Sequence, residues 1–339
     1  MKISEIKSLL ISRTDSIGDV VLTLPIAGAI KKKFPQIKIL FLGRNYTKDV
    51  IALSGFVDEF INWDELSKLK TEDRIVDLQR KKIDCIIHVF PNKEIAKCAF
   101  KAAIPLRVGT TNRFFHWIYC NKKISFSRRK SELHEAQLNF KLLDFLGIGI
   151  PEKSEIPQYY GFNKPADLPS HLKGLIDPAK INLILHPKSK GSAREWGLKN
   201  FNNLISILPK NEVKIFISGT KEDGELMKSM IDINSNVVNV CGKFTLDEFI
   251  SFINACDVMV AASTGPLHIA AALGKKAIGI FAPMKPIHPG RWAPVGKKAC
   301  YFVKDKPCNE CRLSQDCKCI REINPIDIKS AILAVEVNS

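Results

Sequence analysis

The sequence predicts an α/β fold made of two consecutive doubly wound units with a cleft between them. Three observations predict it. Short β-branched runs alternate with amphipathic helical stretches along the chain, as in a parallel sheet covered by helices on both faces. Over 150–180 the alternation gives way to a Pro-rich, polar texture that reads as a connection, after which it restarts. Finally, 339 residues exceed what one compact core suits.

In chain order, a strand is expected at 8–12, followed by a loop and helical residues to Lys33. Strands follow at 38–42, 59–62 and 83–89, with helical patterns at 74–82 and 93–103. Beyond the connection, strands are expected at 182–185, 214–218, 237–240, 258–261 and 277–281. Helices are expected at 200–208, 222–232, 246–255 and 266–273. No internal repeat or low-complexity tract interrupts this order.

Composition narrows the function classes. With 45% hydrophobic and 25% charged residues, disordered and fibrous classes drop out. Fifty-one Lys and Arg against 35 Asp and Glu leave +16, which points to nucleic acid, an anionic membrane face or a phosphorylated substrate. No helix-turn-helix, RRM or zinc-finger array is present, which argues against nucleic acid. The start, Met1-Lys-Ile-Ser-Glu-Ile-Lys-Ser, has no apolar core of a signal peptide. The apolar stretch 258–282 carries Ser263, Thr264, His268, Lys275 and Lys276, which no bilayer span tolerates. Six of the ten cysteines stand singly (Cys85, Cys98, Cys120, Cys241, Cys256, Cys300), several in apolar runs, as reduced buried thiols of a cytosolic protein do.

Three loops at strand ends could carry chemistry, because ligands of open α/β sheets bind at the carboxyl ends of strands. The first is Arg13-Thr-Asp-Ser-Ile-Gly-Asp19. Gly18 lets backbone approach a ligand, and Asp19 reads either as a general base or as a helix N-cap. The second is His186-Pro-Lys-Ser-Lys-Gly-Ser-Ala-Arg-Glu-Trp196, whose small residues leave amides open while Lys188, Lys190 and Arg194 add charge. It reads as a phosphate loop, or else as a solvated basic loop. The third is Ala262-Ser-Thr-Gly-Pro-Leu-His-Ile-Ala-Ala-Ala-Leu-Gly274, where Gly265 and Pro266 open a helix and Ser263 and Thr264 complete an anion site. Its plain alternative is a well-made strand–turn–helix with His268 in the core.

These loops, in this order and spacing, carry a resemblance to glycosyltransferase family 9, the ADP-heptose:lipopolysaccharide heptosyltransferases. It extends from the first loop through Val-Val-Leu-Thr-Leu-Pro25, and includes Phe281-Ala-Pro-Met…Arg291-Trp-Ala-Pro294 and a C-terminal cysteine cluster ahead of Ile-Asn-Pro-Ile-Asp. The resemblance implies a GT-B fold of two Rossmann-like domains facing each other across a cleft. It places an acceptor-binding domain at 1–165, a nucleotide-sugar domain at 166–322, and a last helix at 323–339 that crosses back to the first domain. It implies inverting, metal-independent transfer of a sugar, heptose in the family, from an ADP-sugar to a phosphorylated glycolipid acceptor of the lipid A–Kdo type. The setting would be cytoplasmic, peripheral on the anionic inner face of the membrane. Asp19 matches the family's proposed base. Ser189, Arg194, Glu222, Ser263, Thr264, Gly265, Pro266 and His268 fall on the donor side, with Glu222 as a ribose contact. Arg13, Gly18, Arg107 and Arg113 fall on the acceptor side. Two departures bear on the sugar: Ser263 stands where the family usually has aspartate, and Arg194 where it usually has lysine.

No Asp-x-Asp clamp sits in a suitable loop, so cations and a helix N-terminus would stabilise the departing diphosphate without a metal cofactor. Cys308, Cys311, Cys317 and Cys319 have near-zinc spacing, with reduced structural thiols as the alternative. Basic residues gather in the first domain at Lys31-Lys32-Lys33, Arg107, Arg113, Lys122-Lys123 and Arg128-Arg129-Lys130, which suits an anionic membrane face or a solvated surface. Competing readings are a transferase using another nucleotide sugar for a different surface glycan, a sugar-nucleotide epimerase, and a non-catalytic sugar-nucleotide-binding relative.

Overall fold

Continuous apolar runs such as Leu9-Leu10-Ile11 predict strands covered on both faces, and these three side chains are fully buried in the computed structural model of the chain. The structure describes residues 2–128, 130–163, 165–305, 308 and 317–334. It divides into two compact units, Met1–Asn163 and Lys164–Ser339.

The first unit holds a six-stranded sheet of β1 (Ser8–Ser12), β2 (Lys38–Gly43), β3 (Glu59–Asn62), β4 (Cys85–His88), β5 (Leu106–Thr110) and β6 (Lys122–Ile124), in the order β3-β2-β1-β4-β5-β6. The second holds β7 (Ile181–His186), β8 (Val213–Ile217), β9 (Val237–Asn239), β10 (Val258–Ala262), β11 (Lys276–Phe281) and β12 (Cys300–Val303), in the order β12-β11-β10-β7-β8-β9. Neighbouring strands pair in parallel throughout. Each sheet starts in its middle, winds to one edge, then returns to wind to the other. That order places a topological switch point between β1 and β4 in the first unit and between β7 and β10 in the second. Open sheets of this kind take their ligands at such points.

Nine strands stand where the sequence predicts them, within about two residues at each end, the usual scatter of boundaries. Three were not foreseen. β5 carries Arg107 and Gly109 within five residues, β6 is a three-residue edge strand opening Lys-Lys, and β12 is half-exposed. Charged residues break the apolar run in β5 and β6, while β12 is a short apolar run that is only partly buried. The single helix expected at 222–232 is two, Lys221–Leu226 and Lys228–Ile233, because the fully buried Met227 leaves helical geometry at φ −99° and ψ 1°.

The last helix, Pro325–Leu333, lies in the segment that the sequence reading sends back to the first domain. Its buried residues Ile328 and Ile332 lie four apart, hence on one face, and join the core of the second unit, with the helix packed on Leu198–Ile207. This helix therefore contributes to the second unit's own core. Trp196 ties into the same region. It is almost wholly buried, edge-on to Phe201 at 5.0 Å, and its indole N–H donates to the Ile323 carbonyl at 3.0 Å. The end of the loop after β7 is thereby fixed to the C-terminal segment.

Cys85, Cys98, Cys120 and Cys256 are buried thiols without a disulfide. Burial pushes Cys120 up to about 11 and raises Cys85 and Cys256 further, which keeps these thiols protonated and unreactive. Among the described residues, no helix is long and apolar enough to cross a membrane.

Candidate active site

The loop leaving β1 enters the switch point of the first unit, and Arg13 organises it. Its guanidinium side chain is only 4% exposed. Nε donates to Asp15 Oδ1 at 2.7 Å, Nη2 to Asp19 Oδ1, and Nη1 to Glu135 Oε1 at 3.3 Å and Asn139 Oδ1 at 3.5 Å. Ser16 is the N-cap of the helix Ile17–Val21, and its hydroxyl donates to Asp19 Oδ2. Asp19 is therefore the third helical residue and not the cap. Both of its oxygens are held, and its side chain still reaches solvent. Gly18 is buried in the same short helix.

Behind Arg13 stands the helix Glu135–Phe140, which presents Glu135 and Asn139 one turn apart and fully buried. Arg128 donates to Glu135 at 3.0 Å and to Asn139 Oδ1 at 2.8 Å. The Asn139 amide donates to the Leu22 carbonyl at 3.0 Å, and the Thr23 hydroxyl to the Asp19 carbonyl at 2.8 Å. Two arginines and three carboxylates thus lock the loop and the helix it opens. Burial works against the Arg13 charge, yet Asp19, Asp15 and Glu135 outweigh it, and its pKa lies above the ordinary arginine value. Burial also raises the Asp15 carboxyl.

Arg13, read on the acceptor side, is thus buried against Asp15, Asp19, Glu135 and Asn139. Arg107, read on the same side, turns part of its guanidinium onto backbone carbonyls. Nε donates to the Tyr119 carbonyl at 2.7 Å and Nη1 to the Ile104 carbonyl, while the guanidinium stacks on Phe100 at 5.3 Å. Arg113 is exposed at the N-cap of the helix Phe114–Tyr119.

In the second unit, the loop after β7 and the turn after β10 come from adjacent strands. The Ser192 hydroxyl donates to the Ser263 carbonyl at 3.4 Å, which joins the two. Lys190 and Gly191 take φ of 48° and 80°, turning the chain through the left-handed region that favours glycine. Glu195 holds the loop: it accepts from Lys188 at 2.6 Å and from the Ser189 amide at 2.9 Å. Ser189 in turn donates its hydroxyl to the Ala193 carbonyl at 2.9 Å. Ser189 is buried, so its role is to shape the loop. The basic loop is thus not a solvated run, and one of its lysines is neutralised internally. Arg194 is half-buried on it.

Thr264 is the N-cap of the helix Gly265–Ala272, with Pro266 in its first turn and His268 buried beyond it. The Thr264 hydroxyl is buried, makes no side-chain capping bond, and has no hydrogen-bond partner among the described residues. A buried hydroxyl without a partner is costly, and here it stands among the open amides of a helix N-terminus, which favour an anion. Glu222 is exposed in the first turn of Lys221–Leu226, following β8, and its own backbone amide and the Thr220 hydroxyl lower its carboxyl pKa.

In the cysteine cluster, Cys317 and Cys319 are buried in the second unit's core with Cys308 packed against it. Cys311 lies outside the described residues, as does Arg129 of the basic run. Among the described residues no group of three metal-ligating side chains is assembled.

Sequence reasoning missed Glu135, Asn139 and Glu195 as site residues. The signal for the first two was a polar pair at i and i+4 on a stretch whose Ala136, Leu138 and Phe140 are apolar. Their partner Arg13 lies more than a hundred residues away, beyond any local pattern.

Each switch point also ends in a histidine, fully buried at His88 and half-buried at His186. His88 closes β4 with neither ring nitrogen hydrogen-bonded among the described residues, and burial pushes it down to about 3. His186 closes β7 and bonds the Ser218 hydroxyl at 2.9 Å, and burial pushes it down to about 4. Both are neutral in the fold, whereas the unfolded chain takes up protons below the ordinary 6.5. Their stabilisation is complete above 6.5 and is lost as pH falls towards the folded values. The urea midpoint is expected to drop between pH 7 and pH ~5, ahead of carboxylate titration. A flat midpoint over that interval would contradict the burial of these rings.

The model of Glycosyltransferase family 9 (heptosyltransferase) matches residues 76–319. Lipooligosaccharide heptosyltransferase 2 of Campylobacter jejuni is 24% identical over 328 residues, covering 91% of this chain and 93% of its own. Among solved structures, the glycosyl transferase family 9 protein of Veillonella parvula superposes with a TM-score of 0.80 at 16% identity, covering 99% of both chains. The E. coli heptosyltransferase WaaC with ADP gives 0.73 at 19% identity, covering 96% and 99%. The architecture is the GT-B fold of two Rossmann-like units.

Proposed function

We propose that this chain, which belongs to glycosyltransferase family 9 and is a glycosyltransferase, transfers heptose from an ADP-sugar, with inversion, to a phosphorylated glycolipid acceptor of the lipopolysaccharide core. The observation that carries the donor half is the buried Thr264 hydroxyl at the head of Gly265–Ala272, joined through Ser263 to the loop after β7. That arrangement offers amides, hydroxyls and the Arg194 cation to a diphosphate, and Glu222 to a ribose. The departing diphosphate gains negative charge as the glycosidic bond breaks, and those groups stabilise it in place of a metal. Asp19 takes the proton of the acceptor hydroxyl as it attacks the anomeric carbon, and Arg13 and Ser16 hold it in one orientation. On the acceptor side, Arg113 is the exposed cation of the sequence-predicted pair. The enzyme would work peripherally at the inner face of the membrane.

The structure of one neighbour, the E. coli heptosyltransferase WaaC, holds ADP, which supports an adenine nucleotide here. Thermal denaturation with ADP, UDP, GDP and NAD tests the donor. ADP is expected to raise the melting temperature most, because a ligand stabilises by its occupancy of the folded state. An equal or larger rise with UDP or GDP would move the chain to another nucleotide sugar and a different surface glycan.

A further inference from the structure

The helix Phe114–Tyr119 presents an apolar face to solvent. Phe114 is 82% exposed, Trp117 57% and Ile118 52%, at the i, i+3 and i+4 positions of one face. His116 on the opposite side is fully buried, so the orientation is fixed by packing. A side chain at Gly109 of β5 would meet the His116 ring at 2.8 Å, which shows how closely the helix seats on the sheet. The Trp117 indole N–H donates to the Thr111 carbonyl at 3.0 Å. Its single polar atom is satisfied within the protein, and what it exposes is hydrocarbon. The patch continues onto the helix Lys93–Lys101, where Phe100 is exposed and its ring lies 5.8 Å from Tyr119.

The rim of this patch is basic. Lys97, Lys101, Arg113 and Lys122 are exposed around it, and Lys123 Nζ stands 5.2 Å over the Trp117 ring. Glu94, the acidic residue of the first-named helix's neighbour Lys93–Lys101, is paired with Arg74. Three cations of the first unit's other basic runs are tied down: Lys31 to Asp58, Lys33 to the Gly147 carbonyl, Arg128 to Glu135. Beside the rim a cavity of about 560 Å³ is lined by Lys122, Lys123 and Lys141, with Asp144 at its edge.

We infer that this face, Phe114, Trp117, Ile118 and Phe100 within their ring of lysines and Arg113, docks the first unit onto an anionic phospholipid bilayer. Aromatic side chains favour the headgroup boundary, and a short apolar face with a cationic rim binds by inserting the one and attracting lipid charge with the other. A protein partner would require shape and hydrogen-bonding complementarity. The rim offers only long, flexible cations, which suit the laterally mobile charge of lipid. The inference builds on the reading of a glycolipid acceptor at a membrane face, but its test contains neither donor nor acceptor, so the two can fail separately.

Sedimentation of the full chain with vesicles of phosphatidylcholine and phosphatidylglycerol is the experiment, with phosphatidylcholine alone as the reference. The wild type is expected to bind the mixed vesicles, weakly or not at all the neutral ones, and less at high salt. Its tryptophan emission should shift to the blue on binding. Trp117→Phe should keep most binding and lose the shift, since Trp63 and Trp196 are already buried and Trp292 belongs to the second unit and not to this face. A double variant, Phe114→Ser with Ile118→Ser, should weaken binding by at least about tenfold from the lost apolar burial, with its melting temperature and ADP response retained. Absence of wild-type binding would overturn the inference. So would binding that the double variant leaves unchanged. A vesicle-free, concentration-dependent dimer that the double variant abolishes would assign the face to a second copy of the chain instead.

Discussion

Asp19→Asn is expected to lower turnover by roughly two to four orders of magnitude, the range for a lost general base, while the protein stays folded and nucleotide affinity stays near normal. The substitution removes proton affinity and little else. Asparagine keeps the size, its carbonyl oxygen can still accept from Arg13, and the Ser16 hydroxyl can turn to accept from the new amide. Arg13 loses one of its charge partners but retains Asp15 and Glu135. Ser16 holds the N-cap position without a side-chain capping bond, so no backbone cap is lost at residue 19. Turnover, melting temperature and ADP affinity measured on this one variant separate three outcomes. Turnover near that of the wild type would end the assignment of Asp19 as base. A large stability loss with activity falling in step would make the residue a fastener of the loop.

Glu135→Ala is expected to have the largest effect on stability. The carboxylate is 1% exposed and stands between Arg13 and Arg128. Its removal leaves two cations facing each other with their partner gone. Breaking a buried ion pair from one side costs about 3–5 kcal/mol, on the order of 10 °C in melting temperature for a unit of this size. Turnover should fall as well, because Arg13 then no longer holds Asp19 in one orientation. ADP affinity, carried by the second unit, should persist. A variant within a degree or so of the wild type would show that the network is dispensable. Adding Arg128→Met to Glu135→Ala should recover part of the loss, since the second change removes one of the stranded charges.

The contrast between these residues shows how far the sequence could be read. Asp19 stood out because its Gly-Asp pair ends the loop that leaves a strand, and strand ends are where such sheets bind ligands. Thr264, Gly265 and Pro266 were legible for a similar local reason: a small polar pair followed by Gly-Pro opens a helix at a strand's end. Arg13 was legible as important but not in its role. Nothing within the loop distinguishes an arginine that meets a ligand from one whose donors are consumed by Asp15, Asp19, Glu135 and Asn139. Arg107 is similar in part, with backbone carbonyls taking two of its donors. β5 and β6 escaped notice because their charged residues were read as part of a basic patch. In the sheet those charges sit at the ends and edges, where a half-buried strand tolerates them.

By itself, the sequence determined the βα alternation, the break near 150–180, the strand-end loops and the family. These are carried by periodicity and short spacings, in which each residue's neighbours in sequence are also its neighbours in space. Only the tertiary structure decided that Arg13 bonds Asp15 and Asp19, that Glu135 and Asn139 stand behind it, and that Ile328 and Ile332 join the second core. It alone separated the fully buried His116 from the exposed Phe114, Trp117 and Ile118 on one six-residue helix. Burial and charge pairing are properties of segments brought together from far apart in the chain. A residue type states what it can donate, accept or bury, and the fold decides which partner is there to receive it.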